Sequence, residues 1–221
     1  MARKDVSAVV SGLGLGCGFI IALDKARQKL GVSEENFHAA IAEESPLILK
    51  FAEMIAEFSR PKLLELVGTI TISATTKKFV VKERFVLSIG SDVAVKISYL
   101  GDNFKAWFSE KTEEPFAGST IQSFKLRQSS LDQPIITELG GEAKAETTLA
   151  EIYALMERQK NGEHGILLAN GWANIFYVRD ASGVLRAVRV YWCDGGWDVD
   201  AYSTSDPRGW SGGLRVFSRN S

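Results

Sequence analysis

Residues Gly171 to Tyr202 read GWANIFYVRDASGVLRAVRVYWCDGGWDVDAY, and this stretch has the clearest structural pattern in the chain. β-Branched and aromatic residues fill it, and glycine-containing turn sequences interrupt it twice. Such a pattern predicts three antiparallel strands joined by tight turns. We place the strands at residues 174–179, 184–192 and 197–202, and we expect the rest of the domain to be organised around this meander.

The two turn sequences predict the register of the meander. Asp194-Gly195 is the favoured pair for a two-residue type I′ turn, because both of its positions need a positive φ. This turn places Trp192 opposite Trp197. The other turn ends at Gly183, and a glycine at that position favours a three-residue loop closed in the left-handed region.

With this register, one face of the meander is apolar, because side chains alternate between the two faces of a strand. Phe176 then lies opposite Val188. We expect this face to pack on a helix predicted at residues 147–160, where Thr148 and Glu151 form a capping box. The apolar stripe of that helix consists of Leu149, Ile152, Tyr153 and Met156.

The opposite face of the meander is more polar and is the candidate binding surface. Clustered tyrosine and arginine side chains are typical of recognition surfaces. Arg189 is expected directly across from Asp200, where a cross-strand ion pair stabilises a sheet by about 0.2–1 kcal/mol. A solvated face, or a second and partly covered core face, explains the same pattern. The candidate binding residues are Tyr177, Arg189, Tyr191, Asp198, Asp200 and Tyr202.

The composition is that of an ordinary globular protein. Of the 221 residues, 45% are hydrophobic and 24% are charged, and the net charge is −1. A chain of this length can form one large domain or two small ones. A nearly neutral chain has no overall field that attracts nucleic acid or an anionic membrane.

The chain has few residues for metal binding or nucleophilic catalysis. Its cysteines, Cys17 and Cys193, and its histidines, His38 and His164, are scattered singly. Zinc sites need closely spaced pairs of such residues, so we expect no metal, no other cofactor and no disulfide. Isolated cysteines suit a reducing cytoplasm. A nucleophilic Cys193 would need a basic partner such as histidine, and the sequence places neither histidine near it.

An uncharged, glycine-rich stretch at residues 8–23 allows three interpretations. It is short for a membrane span, and no clean signal-peptide cleavage site follows it. The run 14–18 has GxGxG spacing instead of the GxGxxG of dinucleotide-binding turns, and no second strand with an acidic residue follows at the expected distance. A flexible glycine segment leading into a buried helix is the favoured interpretation, so we do not expect a membrane partner.

Helices are predicted within residues 19–60. The segment Gly31–Ser33 is typical of the end of one helix and the N-cap of the next. A helix-turn-helix would contain the same pattern, but the second helix is acidic and would repel DNA phosphates. Ser59-Arg60-Pro61 predicts a boundary between a helical segment, 1–60, and a β-rich domain, 61–221.

The β-rich domain is expected to be mainly antiparallel, which makes the fold class α+β. Alternating apolar residues predict further strands at 66–74, 78–87, 93–99, 119–127 and 214–217, the last as an edge strand. Five basic residues lie in the second and third of these strands or next to them. The basic strands 77–96 are therefore an alternative surface that could contact nucleic-acid phosphates, although a solvated face explains them as well.

Several runs together resemble a family of uncharacterised bacterial proteins. The runs are GDNFKAWF, ELGGEAKAETTL, LMERQ, GWANIFYVRD, GVLRAV and the ending RVFSRNS. The resemblance covers most of residues 65–221, and GLGLGCGF near the N-terminus is similar to some members. It implies a bacterial origin and a shared fold, and it transfers no activity, ligand or site residue.

Three functions stay open from the sequence. The favoured one is a non-enzymatic binding or assembly module, with another protein or a second copy of the chain as its partner. Nucleic-acid binding, through residues 77–96 or through Arg186 and Arg189 beside Tyr191, is the alternative. An enzyme of unknown class is the third, with carboxylates such as Asp198/Asp200 as acid–base candidates and no catalytic residue assigned.

Overall fold

The computed structural model of the protein describes residues 18, 21–40, 46, 49–50, 53–54 and 62–219. The chain divides into two units, Met1–Pro61 and Lys62–Ser221. This division lies next to the boundary predicted after Arg60.

In the first unit, residues 21–29 are helical and a second helix, α1, spans Glu34–Ala40. Gly31 has a φ of +67°, and Ser33 Oγ accepts a hydrogen bond of 3.3 Å from Asn36 N, so the predicted helix end and N-cap are confirmed. Most of the glycine-rich stretch 8–23 lies outside the described residues. No helix among the described residues is long and apolar enough to cross a membrane.

The second unit contains a seven-stranded sheet and a separate two-stranded ladder. The strands of the large sheet are Leu64–Ile72 (β1), Ile97–Leu100 (β3), Ser119–Leu126 (β5), Asn174–Arg179 (β6), Leu185–Cys193 (β7), Gly196–Ser203 (β8) and Arg215–Arg219 (β9). The ladder pairs Phe79–Val80 (β2) with Thr112–Glu113 (β4).

The order in the large sheet is β1-β5-β9-β6-β7-β8-β3. Only the pairs β3–β8 and β6–β9 are parallel, so the described sheet is mostly antiparallel. The helices of this unit are Val81–Arg84 (α2), Asp102–Phe108 (α3), Asp132–Glu138 (α4), Glu142–Ala145 (α5) and Leu149–Glu157 (α6). The fold class is therefore mixed α+β, as predicted.

Strands β6, β7 and β8 are neighbours with the predicted register. Trp192 pairs with Trp197, and Phe176 pairs with Val188. Both residues of the Asp194-Gly195 turn have positive φ, 49° and 82°. The turn chemistry therefore predicts which side chains share a face of the sheet.

The apolar face of these strands packs on α6, as predicted. The capping box of Thr148 and Glu151 is present at the start of the helix. Phe176 is fully buried and stacks on Phe217 of β9 with ring centroids 4.4 Å apart. The stripe of the helix joins the same core with Leu149, Ile152 and Met156.

The other face of the sheet carries a second core, and this changes the interpretation of Tyr177. Helices α4 and α5 cover part of this face with Ile135, Ile136 and Ala145, among others. Ile175 and Tyr177 are fully buried beneath them. Tyr177 was predicted as a binding residue, and that prediction is wrong because the side chain is not accessible to a ligand.

Two of the strand predictions are wrong in extent. Within 78–87 only β2 is a strand, and α2 follows it; within 93–99 the strand begins at Ile97. Val81 and Phe85 are buried. Residues four apart share one face of a strand and also one face of a helix, so the apolar pattern fits either structure.

Strand β9 was predicted at an edge, and it lies inside the sheet instead. It pairs antiparallel with β5 and parallel with β6. A short strand near the end of a sequence carries no signal of its neighbours, since pairing depends on distant residues. The inner position of β9 makes the loop 204–214 return from β8 across the sheet, and this loop forms one wall of the candidate site.

Candidate functional site

A small cleft of about 170 Å³ lies on the polar face of the meander. Strands β7 and β8, the first residue of α4 and the loop after β8 all contribute to it. Its lining residues are Asp132, Arg189, Tyr202, Asp206, Arg208, Gly209 and Trp210. The structure thus brings two of the predicted binding residues, Arg189 and Tyr202, together with residues that were not predicted.

Arg189 on β7 is held between two tyrosine rings. Its guanidinium carbon lies 4.9 Å from the ring centroid of Tyr191 and 5.3 Å from that of Tyr202. Cation–π contacts of this kind keep a guanidinium in a defined plane. The two tyrosine rings therefore pre-organise the arginine on the sheet face.

The hydrogen-bonding capacity of Arg189 is largely unused. Asp200 is its cross-strand partner as predicted, but Nη2 lies 3.8 Å from Oδ2, which is too long for a hydrogen bond. The Nε atom is buried and has no acceptor among the described residues. Buried donors are nearly always paired in folded proteins, so an unpaired one calls for an explanation.

Asp200 is engaged by other donors. Tyr202 Oη donates to Oδ2 at 2.9 Å, and the backbone N–H of Ala201 donates to Oδ1 at 2.8 Å. Burial, followed by the bond to Asp200, raises the pKa of Tyr202. A side chain at Gly101 would overlap the Asp200 carboxylate, so a glycine at the start of α3 leaves room for this arrangement.

The loop after β8 supplies a second arginine. Arg208 donates from Nε and Nη2 to both oxygens of Asp206, at 2.7–3.2 Å. Its hydrogen bond lowers the pKa of Asp206 to about 2. The guanidinium also lies 5.3 Å from the ring centroid of Tyr202, on which both arginines therefore stack. Asp206 is ionised at neutral pH, and Arg208 compensates its charge.

Asp132 closes the inner end of the cleft. It is 2% exposed, and its Oδ1 accepts hydrogen bonds from Tyr177 Oη at 2.8 Å and from Trp210 Nε1 at 2.7 Å. Burial raises the pKa of Asp132 even though both hydrogen bonds favour the ionised form. Tyr177 thus positions a carboxylate of the cleft from inside the core. Trp210 meets Tyr202 edge to face, with centroids 5.7 Å apart.

The remaining predicted residues, Tyr191 and Asp198, do not line the cleft. They are Cα partners on β7 and β8, next to Arg189 along the sheet. Ser98 Oγ donates to Asp198 at 2.7 Å, and the hydrogen bond to Asp198 raises the pKa of Tyr191 to about 12. These contacts hold the Tyr191 ring in place against the Arg189 guanidinium.

Sequence reasoning missed five residues of the cleft, Asp132, Asp206, Arg208, Gly209 and Trp210. Residues 203–213 have no periodicity, and the sequence predicts no strand or helix there. The available signal was compositional, because Arg and Trp are enriched at recognition surfaces. Mutual hydrogen bonds between Trp210 and Ser130, of 2.7 and 2.9 Å, tie the loop to the segment before α4.

The alternative nucleic-acid surface, residues 77–96, contains one two-residue strand, β2, and two of its cations are paired. Lys78 contacts Glu114 at 2.7 Å and Lys82 contacts Glu110 at 3.2 Å. Arg186, the other arginine considered for this role, is used elsewhere: it stacks on a tryptophan ring at 4.0 Å and binds Asp180.

The thiol of Cys193 lies beside a carboxylate at the hairpin turn. The neighbouring Asp194 raises the pKa of the thiol, which disfavours the thiolate at neutral pH. A raised thiol pKa is the opposite of what nucleophilic catalysis needs.

Within the described parts of the chain, no group of three or more His, Cys, Asp or Glu side chains could hold a metal ion. Comparison of the chain with protein-family models, with curated proteins and with solved structures gives no match.

Proposed function

We propose that the protein is a non-enzymatic binding module whose recognition surface is the cleft and the sheet face around Arg189. The partner is another protein or a second copy of the chain. One observation carries this proposal: Arg189 is stacked between two tyrosine rings with unused hydrogen-bond donors. Half-buried Arg and Tyr side chains fixed in this way are the usual anchors of protein recognition.

The chemistry of the cleft supports binding better than catalysis. A general acid or base needs a free position next to the reacting atom. Asp206 is paired with Arg208 at both of its carboxylate oxygens. Asp198 and Asp200, the acid–base candidates from the sequence, each accept hydrogen bonds from neighbouring side chains.

The proposed setting is the bacterial cytoplasm. The resemblance to a family of bacterial proteins supports the origin, and two isolated cysteines suit a reducing compartment. Nucleic-acid binding through residues 77–96 has weaker support, because Lys78 and Lys82 are already paired with glutamates.

Site-specific photo-crosslinking in bacterial cells tests the proposal. A photoreactive residue in place of the exposed Ser205, in the loop beside the cleft, should give one discrete adduct whose mass distinguishes a second copy from another protein. The same residue in place of the exposed Glu83 is the control and should give none. Arg189→Ala in the Ser205 background should remove the adduct.

Two outcomes contradict the binding proposal. One is an adduct at Ser205 that persists with Arg189→Ala. The other is an identical set of adducts from both positions, which would mean that the chain meets its neighbours without using the cleft.

A further inference from the structure

The cleft also indicates the chemical class of the group that it binds, and this inference rests on the proposed binding function. The Arg189 guanidinium makes no hydrogen bond to any described residue. Asp200 Oδ2 lies 3.8 Å from Arg189 Nη2, beyond hydrogen-bond distance, and the Asp200 oxygens accept from Tyr202 and Ala201 instead. The Nε atom is enclosed by protein, whereas the side chain as a whole is 29% exposed and lines the cleft, so an acceptor that enters from outside would meet the terminal nitrogens of Arg189.

The orientation of the Arg189 guanidinium suits an oxyanion. The rings of Tyr191 and Tyr202 fix the plane of the Arg189 guanidinium. A guanidinium in a fixed plane presents parallel N–H bonds that match the two oxygens of a carboxylate or phosphate group. A backbone carbonyl would use only one of these donors.

The two carboxylates that line the cleft contribute little uncompensated negative charge. Asp206 is neutralised by the two-point contact with Arg208. Asp132 is the remaining negative wall of the cleft, and burial disfavours its ionised form. Arg208 uses Nε and Nη2 on Asp206, so its Nη1 has no hydrogen-bond partner among the described residues.

The cleft is too small to enclose a whole ligand. A cleft of about 170 Å³ is smaller than the roughly 300–1,000 Å³ of pockets that enclose whole small-molecule ligands. It has room for one functional group and the atoms that attach it to a larger partner.

We infer that the cleft binds a single oxyanion on a peptide partner, with the terminal nitrogens of Arg189 as the two-point donor and Nη1 of Arg208 as a further hydrogen-bond donor. A free carboxylate and a phosphorylated side chain share this chemistry. Asp132 weakens the interaction when it is ionised, so it tunes the affinity for the anion.

Nuclear magnetic resonance of the full chain labelled with ¹⁵N-arginine tests the inference through the Nε–H signal of Arg189. The probes are three short peptides of one sequence: one with a free C-terminal carboxylate, one amidated with phosphoserine, and one amidated and uncharged. Loss of the signal in Arg189→Lys assigns it. At least one oxyanion peptide should shift the signal saturably, and the uncharged peptide should not.

Three variants complete the test. Arg189→Gln should weaken the binding of the oxyanion peptide by about tenfold or more. Asp132→Asn keeps an acceptor for Tyr177 and Trp210 and cannot ionise, so it should bind the oxyanion peptide at least as tightly as the wild type. Arg84→Gln, an exposed arginine away from the cleft, is the control and should change neither affinity nor the Arg189 signal.

The inference is wrong if the uncharged peptide shifts the signal as much as the charged ones. It is also wrong if neither oxyanion shifts it at millimolar peptide concentration, or if Asp132→Asn weakens binding. The crosslinking result separates the two proposals: an adduct that needs Arg189, together with no response to either oxyanion, would leave the binding module standing and remove only the oxyanion assignment.

Discussion

Phe176→Ala tests the arrangement on which the fold and the cleft both depend. The side chain is fully buried on the face of β6 that packs on α6, and its ring stacks on Phe217 with an interplanar angle of 11°. Truncation of such a phenylalanine removes the ring from the core and leaves a cavity. We expect a loss of about 3–5 kcal/mol in the free energy of unfolding, as large aromatic truncations in cores produce.

Urea denaturation followed by tryptophan fluorescence measures this loss for the second unit. All tryptophans of the sequence lie after residue 61, so the signal reports this unit alone. For a unit of this size, the expected loss corresponds to a decrease in Tm of roughly 6–20 °C. Val184→Ala, at an exposed position beside the turn that sets the register, is the control and should change the stability by less than about 0.5 kcal/mol.

A loss below about 1 kcal/mol for Phe176→Ala would refute the reasoning. It would mean that the ring is not enclosed between the sheet and α6, and that the register derived from the three-residue loop is wrong. The polar face of the meander would then no longer be the face that carries Arg189.

The remaining predictions concern the cleft and its support. Tyr191→Ala should reduce the crosslinked adduct while the Tm stays nearly unchanged, because the ring is half-exposed; a large decrease in Tm would instead place Tyr191 in the core. Gly101→Ala should cost about 1–3 kcal/mol in urea denaturation, since the new Cβ would overlap Asp200, and a neutral result would contradict the close approach. Burial raises the pKa of Asp132, so the folded state favours the protonated carboxyl group. The stability that this group contributes is fully present below the unfolded pKa of about 3.9 and is lost as the pH rises through the folded pKa. Asp132→Asn should therefore be at least as stable as the wild type at pH 7, and the difference should shrink below about pH 4; a variant that is clearly less stable at pH 7 would show that the ionised carboxylate is the favoured form.

Local sequence signals determined the parts of the fold that neighbouring residues control. The Asp194-Gly195 turn predicted the pairing of Trp192 with Trp197, and the capping box predicted where α6 begins. Both signals act within a few residues, through backbone dihedral preferences and hydrogen bonds that no distant element needs to complete. The same locality explains the error at 81–85, where two apolar residues four apart fit a strand face and a helix face alike.

Tertiary structure alone decided the neighbours of β9, the burial of Tyr177 and the composition of the cleft. The predicted binding face is half core and half surface because α4 and α5 cover one end of it. Asp132 and Trp210 meet through a hydrogen bond although they are 78 positions apart in the sequence. The residue types on one strand predict that a face is polar or apolar, whereas burial and contact depend on which distant elements pack there. For that reason Arg189 could be predicted as a candidate, while the residues that surround it required the folded chain.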